Sequence, residues 1–122
     1  MAKKILLVED EELIYSLLEK KLTQEGYEVK IARNGKEGLA ILADYKPNLI
    51  LLDIIMPEKD GFSVMETIKK DPALSKIPII VISNSGQPVE LNRAKELGAK
   101  DWLIKTDFDP VEILEKVKKY IE

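Results

Sequence analysis

Five polar residues with side chains able to do chemistry lie directly behind short apolar runs. They are Glu9 and Asp10 after residues 5–8, Asp53 after 49–52, Ser83 after 79–82 and Lys105 after the more mixed run 100–104. Continuous apolar runs of four residues are typical of strands covered on both faces, as in a parallel sheet. Because parallel strands end at one edge of their sheet, we expect these five side chains to lie there together.

Three carboxylates at one edge predict a particular chemistry. Packed together they repel one another and raise their own pKa values unless a cation lies among them. Mg²⁺ prefers oxygen ligands, typically uses one or two carboxylates and recruits phosphate oxygens. We therefore interpret the edge as a magnesium-dependent phosphoryl site, with Glu9 and Asp10 as metal ligands and Asp53 as a nucleophile able to form an aspartyl-phosphate. Lys105 would pair with the incoming phosphoryl oxygens, and the Ser83 hydroxyl would donate a hydrogen bond to another.

Each of these residues also has a purely structural interpretation. Asp53 could cap a loop, and Glu9 and Asp10 could be acids favoured by a helix dipole. Ser83 could begin a turn, and Lys105 could be an ordinary solvated lysine. Their joint placement behind four strands favours the functional interpretation.

The elements that must position these residues alternate along the chain. Strands are predicted at 5–8, 28–32, 49–52, 79–82 and 100–104. Helices are predicted from Leu13 toward Gly26, around Leu39 to Ala43, from Phe62 to Ile68, from Pro88 to Leu97, and from Pro110 onward with Ile113, Leu114, Val117 and Ile121 inward. This alternation predicts an α/β fold, a parallel sheet with helices on both faces. The less apolar strands at 28–32 and 100–104 belong at the edges, and right-handed crossovers with one reversal then give the order 2-1-3-4-5.

Composition limits the function further. At 122 residues the chain is expected to be one domain, and 45% hydrophobic with 34% charged residues excludes a disordered chain. A net charge of −3 offers no case for nucleic-acid binding. The absence of cysteine and histidine excludes disulfides, thiolate chemistry, the usual zinc ligands and a phosphohistidine carrier. The N-terminal apolar run is too short for a signal peptide or membrane span, so a cytoplasmic protein with no membrane association is expected.

The motifs together resemble a known family. Val8-Glu9-Asp10-Glu11, Leu51 to Pro57 with Asp60-Gly61, Val81-Ile82-Ser83 and Trp102 to Lys105 are similar to the motifs of a response-regulator receiver domain, the phosphoacceptor module of two-component signalling. The resemblance covers essentially the whole chain. It implies the flavodoxin-like receiver fold, so the strand order above is partly an inference from the family.

The resemblance also implies roles. Asp53 would accept a phosphoryl group from the phosphohistidine of a histidine kinase or a histidine phosphotransfer protein. Glu9, Asp10, Asp53 and the backbone carbonyl of Ile55 would surround Mg²⁺. Ser83 and Trp102 would occupy the two switch positions, at which the hydroxyl moves toward the phosphoryl group and the ring turns inward.

A receiver of this kind is a signalling module rather than an enzyme, since it promotes only its own phosphorylation and dephosphorylation. We expect the fourth helix, fifth strand and fifth helix to form the surface that it switches. The chain ends after the last helix, so a single chemotaxis-type receiver domain over residues 1–122, with no output domain, is expected. It would signal through a downstream protein target, unless the chain is a receiver excised from a longer protein.

Three residues depart from the commonest family pattern. Thr106 replaces the proline after Lys105, and a cis bond before a non-proline residue costs roughly 2.5–4 kcal/mol. A trans bond would place Lys105 differently. Ile55 has no polar side chain to orient an attacking water, so slow loss of the phosphoryl group is expected. Asn84 is bulkier than the small residue often found after Ser83 and could crowd the site.

Two other functions remain open from the sequence. One is a degenerate receiver that serves only as a binding module. Because all five site residues are of functional type, the loss of activity would have to come from Thr106 or Asn84. A small Mg²⁺-dependent phosphohydrolase with an aspartyl intermediate usually resembles a D-x-D pattern, which Ile55 interrupts. A flavin binder of the same topology would need a phosphate-binding loop after the first strand, and no distinctive one is present.

Overall fold

A five-stranded parallel sheet forms the middle of the protein. The computed structural model describes residues 3–54, 60–83, 87–105 and 109–121. The strands are β1 (Lys4–Val8), β2 (Glu28–Ala32), β3 (Leu49–Asp53), β4 (Ile79–Ser83) and β5 (Ala99–Ile104). They are arranged β2-β1-β3-β4-β5 with every neighbouring pair parallel, which confirms the predicted order.

Helices cover both faces of the sheet. They are α1 (Glu12–Gln24), α2 (Gly35–Leu42), α3 (Gly61–Lys70), α4 (Pro88–Glu96) and α5 (Pro110–Ile121), with a short 3-10 helix at Leu74–Lys76 that we did not predict. Gly26 and Gly98 follow α1 and α4 with φ of 93° and 102°, the left-handed conformation that glycine adopts most readily. Among the described helices none is long and apolar enough to cross a membrane.

Side chains alternate between the two faces of each strand, so the core consists of two layers, one on each side of the sheet. Leu6 and Val8 of β1 point toward α2, α3 and α4, whereas Ile5 and Leu7 point toward α1 and α5. Successive side chains of a strand point to opposite faces, so a strand covered on both faces must be apolar throughout. All five residues of β3 and of β4 are buried, in agreement with the continuous apolar runs.

The first helix differs from its sequence pattern. Leu18 and Leu22 are buried, but Leu13 is 86% exposed and Leu17 lies at the edge of the apolar face. The apolar spacing therefore predicted the helix correctly, but not every apolar residue of that spacing faces inward. A 3.6-residue period can give an apolar stripe wider than the part of the sheet that is available to the helix.

The last strand carries an irregularity that the sequence did not indicate. Ile79 pairs with Ala99, whereas Ile80 pairs with Asp101, so Lys100 is the extra residue of a bulge. After the bulge Leu103 packs into the layer of α1 and α5, and Trp102 packs against the layer of α2, α3 and α4. The bulge thus determines which face the Trp102 ring meets.

Candidate functional site

Asp53 is the last residue of β3, at the carboxyl edge of the sheet, and only 1% of its surface is exposed. In the neighbouring strand its register partner is Ile82, so the buried Ser83 follows one position further on. On the other side Leu52 pairs with Val8, which places Glu9 next to Asp53. Strand pairing therefore brings the ends of β1, β3 and β4 together as predicted.

Three carboxylates converge at this edge. Oxygens of Glu9, Asp10 and Asp53 lie within 4.8 Å of one another, with Glu9 and Asp53 buried and Asp10 exposed. The pKa of Glu9 is raised to about 8, first by burial and then by the neighbouring Asp53 carboxylate, with Lys105 offsetting part of the rise. The buried pair is thus an unfavourable arrangement of anions that a nearby cation relieves.

Lys105 supplies one such cation from the end of β5. Its ammonium nitrogen lies 2.9 Å from Asp53 Oδ2, 2.9 Å from Glu9 Oε2 and 2.9 Å from Glu11 Oε1. The Lys105 side chain is 6% exposed. Burial alone would lower the pKa of Lys105, but hydrogen bonds to the three carboxylates outweigh it and hold the pKa above its ordinary value. Lys105 is therefore a fixed positive charge against Asp53.

The placement of Lys105 answers a question left by the sequence. We expected that a trans bond before Thr106 could move Lys105 away from the site, yet its ammonium group contacts Asp53 directly. Thr106 itself lies outside the described residues, as do Ile55 and Asn84. The predicted Ile55 carbonyl ligand and the predicted crowding by Asn84 therefore stay predictions.

One lysine does not balance the charge of the cluster. Lys105 Nζ also lies 2.5 Å from Glu9 Oε1, but without hydrogen-bonding geometry, and this buried oxygen accepts no hydrogen bond from the described part of the chain. Glu9, Asp10 and Asp53 present only oxygen donors, which suit a hard divalent cation such as Mg²⁺. The residues present fit such an ion.

Gly61, the first residue of α3, lies close to the backbone at the end of β3. The Gly61 amide donates a hydrogen bond of 2.8 Å to the carbonyl of Ile54. A Cβ atom at Gly61 would lie 2.5 Å from the Asp53 carbonyl oxygen and 2.7 Å from Ile54 Cα, both backbone atoms. Asp60 caps the helix, since its Oδ1 accepts a 2.9 Å hydrogen bond from the Ser63 amide. The start of α3 is thus packed directly on the backbone that carries Asp53.

Trp102, the second predicted switch residue, is among the residues that the structure describes. Trp102 is partly buried and pairs with Val81 of β4. It lines a cavity of about 350 Å³ between α4 and β5, together with Leu91 and Ala94. Ser83 and Trp102 thus lie on adjacent strands, at the site and beside α4 respectively.

Glu11 is the site residue that sequence reasoning missed. It precedes α1 and contacts Lys105, whereas we had not assigned it any role. Two signals were available: an acid directly after Glu9-Asp10, and a buried lysine whose ammonium group needs three acceptors. Neither shows which acid reaches Lys105, because that depends on how the chain turns between β1 and α1.

Comparison with known proteins identifies the family. Residues 5–118 match the family described as "Response regulator receiver domain". The chain is 39% identical over 119 residues to a protein of Cyanophora paradoxa that is named a probable transcriptional regulator, ycf27; the match covers 98% of this chain and 48% of that protein. This chain therefore belongs to the response-regulator receiver domains, and it spans about half the length of that relative.

Solved structures with a similar fold agree with this family assignment. The chain is similar to chemotaxis protein CheY4 of Vibrio cholerae, with a TM-score of 0.92, 28% identity and coverage of 98% of this chain and 99% of that one. It is also similar to the receiver domain of sensor histidine kinase PA1611 from Pseudomonas aeruginosa, with a TM-score of 0.89, 25% identity and coverage of 99% and 98%. That structure has a magnesium ion coordinated in its active-site cleft.

Proposed function

We propose that residues 1–122 act as one receiver domain in which Asp53 accepts a phosphoryl group in the presence of Mg²⁺. The observation that carries this is the contact between a buried strand-end carboxylate and a buried ammonium group, Asp53 Oδ2 to Lys105 Nζ at 2.9 Å, beside two further acids. The proposed donor is the phosphohistidine of a histidine kinase or phosphotransfer protein, as the family resemblance implies.

In the proposed reaction an Asp53 oxygen attacks the donor phosphorus and a new P–O bond forms. The P–N bond to the histidine breaks, and its electron pair leaves with the imidazole, which takes up a proton. Glu9, Asp10, Asp53 and the Ile55 carbonyl would hold Mg²⁺, which when bound supplies positive charge that lets one anion approach another. Lys105 holds Asp53 in place and then pairs with a phosphoryl oxygen, and Ser83 donates a hydrogen bond to another.

The surface formed by α4, β5 and α5 is the proposed switched element, with a downstream protein as its target. Support comes from the weak attachment of α4, in which Ala94 is the one fully buried residue. Arg93 joins α4 to α3 by lying 3.2 Å from Glu66 Oε1 and 4.4 Å from the centre of the Phe62 ring. Exposed ion pairs contribute about 1 kcal/mol or less. Together with the adjacent cavity, this permits Trp102 and α4 to repack at small cost.

The experiment is to incubate the protein with Mg²⁺ and acetyl phosphate and to follow its intact mass beside an Asp53→Asn variant. We expect a phosphoryl adduct on the parent and none on the variant, because the amide lacks a nucleophilic oxygen anion. In this assay the P–O bond to acetate breaks and acetate leaves. Continuous phosphate release without an adduct would support a phosphohydrolase, and no adduct at all would support a binding module.

Once formed, the adduct is expected to be lost slowly. Ile55 offers no polar side chain to hydrogen-bond and orient an attacking water, and such positioning of a reactant lowers the barrier to reaction. Phosphate release from the purified adduct in Mg²⁺ buffer measures the lifetime, and an Ile55→Asn variant is the matched comparison, with faster release expected. A parent half-life of only seconds would contradict the prediction.

A further inference from the structure

Glu11 holds an unusual position at the start of α1. It is the N-cap residue, with extended backbone (φ −82°, ψ 112°), yet its side chain accepts no capping hydrogen bond. N-cap side chains are usually Ser, Thr, Asp or Asn, whose oxygens accept hydrogen bonds from the first amides of the helix. The Glu11 carboxylate instead lies 2.9 Å from the ammonium group of Lys105. Its contact is with the site rather than with its own helix.

The ammonium group of Lys105 is fully engaged. An ammonium group has three hydrogens to donate, and Lys105 is bonded to three carboxylates: Glu9, Asp53 and Glu11. A phosphoryl group on Asp53 would add oxygens that require a positively charged donor. For Lys105 to bond one of them, it must release a present partner.

Exposure indicates which partner is released. The side chains of Glu9 and Asp53 are 0% and 2% exposed, whereas that of Glu11 is 52% exposed. Release of Glu9 would leave a buried carboxylate without its donor. Phosphorylation removes the charge of Asp53, but its remaining oxygen is still a buried acceptor, whereas a half-exposed carboxylate such as Glu11 is solvated by water instead. Glu11 is therefore the partner whose loss costs least.

We infer that Glu11 is a positioning residue for phosphoryl transfer, an inference that rests on the proposed function. Before phosphorylation Glu11 holds the Lys105 ammonium group in place beside Asp53. Afterwards Lys105 exchanges Glu11 for a phosphoryl oxygen. Glu11 thus competes with the phosphoryl group for Lys105 and weakens the phosphorylated state relative to the free one.

The test compares Glu11→Gln with Glu12→Gln, which removes the same charge one residue further along. Glu12 is exposed and lies in the first turn of α1. The probe is beryllofluoride, titrated in Mg²⁺ buffer by calorimetry. Its beryllium becomes tetrahedral when it binds a carboxylate oxygen, as phosphorus is in a phosphoryl group on that oxygen. Taking the roughly 0.2–1 kcal/mol of exposed ion pairs for the half-exposed Glu11 side chain, we expect beryllofluoride to bind Glu11→Gln about 1.4- to 5-fold more tightly than Glu12→Gln.

A spectroscopic measurement separates this role from a general effect on the fold. In ¹⁵N-labelled protein the Lys105 ammonium signal should move in Glu11→Gln and stay unchanged in Glu12→Gln. In the parent, saturating beryllofluoride should move the same signal, since one acceptor of Lys105 is exchanged.

The outcomes distinguish this inference from the function it rests on. If the parent forms the Asp53 adduct but the two glutamine variants bind beryllofluoride equally, the positioning role of Glu11 is overturned and the receiver function stands. An unchanged Lys105 signal in Glu11→Gln would overturn it too. If the parent forms no adduct, the proposed function itself fails and the inference falls with it.

Discussion

Lys105→Met is expected to destabilise the protein by about 3 kcal/mol near pH 8 and to slow phosphorylation by acetyl phosphate about 100-fold. Removing one partner of a buried ion pair typically costs 3–5 kcal/mol, because it leaves the other charge buried and unpaired. Here the residues left behind are Glu9 and Asp53, both buried. Loss of one preorganised donor at a reacting oxygen typically costs 10²–10³-fold in rate.

The stability loss should depend on pH. Burial and the neighbouring Asp53 carboxylate, against the opposing effect of Lys105, raise the pKa of Glu9 from 4.5 to about 8. The folded protein therefore binds the Glu9 proton more tightly than the unfolded chain does. The stability that this proton contributes is complete below pH 4.5 and is lost as the pH rises through about 8. Since Lys105 lowers the Glu9 pKa, the part of the stability loss that comes from Glu9 should be small at pH 5 and largest above about pH 8.

Urea unfolding of parent and Lys105→Met at pH 5 and pH 8.5 measures both effects. Lys118→Met is the matched control, because Lys118 pairs with Glu25 at 3.1 Å with both side chains exposed. Lys118→Met should lower the free energy of unfolding by about 1 kcal/mol or less at either pH. Added Mg²⁺ should stabilise Lys105→Met more than the parent, since it supplies the missing positive charge. Equal losses in the two methionine variants would show that Lys105 does not neutralise the buried acids.

Gly61→Ala is expected to destabilise the protein by about 2–3 kcal/mol, the upper part of the range for overpacked sites. The new methyl group would lie 2.5 Å from the Asp53 carbonyl oxygen and 2.7 Å from Ile54 Cα. Backbone atoms cannot swing aside as a side chain does, so either β3 or the start of α3 must move. The Gly61–Ile54 hydrogen bond of 2.8 Å would be strained with them.

The same displacement should impair chemistry. A misplacement of about 1 Å at a reacting group can cost about 100-fold in rate, so slower adduct formation on Asp53 is expected in Gly61→Ala. Gly38→Ala is the matched control, because its new methyl would meet the Val8 side chain at 3.2 Å rather than backbone. Alanine also favours a helix interior by up to about 1 kcal/mol, so a change within 1 kcal/mol is expected. Urea unfolding measures the free energy of unfolding of both variants. If Gly38→Ala and Gly61→Ala lose similar amounts, the close contact of Gly61 with the backbone of Asp53 and Ile54 is not what requires glycine.

The sequence, together with the family resemblance that it carries, determined the fold class, the strand order and four of the residues that meet at the sheet edge. This was possible because a residue that directly follows a strand buried on both faces lies at the carboxyl edge of the sheet. Glu9, Asp10 and Asp53 therefore met as predicted, and so did Lys105, whose contact with Asp53 had been in doubt. Apolar runs also identified β3 and β4 as central strands.

The tertiary structure alone decided the details that depend on several segments at once. Nothing local distinguishes Glu11 from Glu12, yet the path from β1 to α1 places only Glu11 against Lys105. The bulge at Lys100 arises from pairing with β4, and it selects the face that Trp102 meets. Leu13 belongs to a helical apolar pattern but extends beyond the sheet that α1 covers. Periodicity specifies an element and the face that it buries. How far a side chain reaches, which residue its strand pairs it with and how exposed it is depend on the segments that pack against that element.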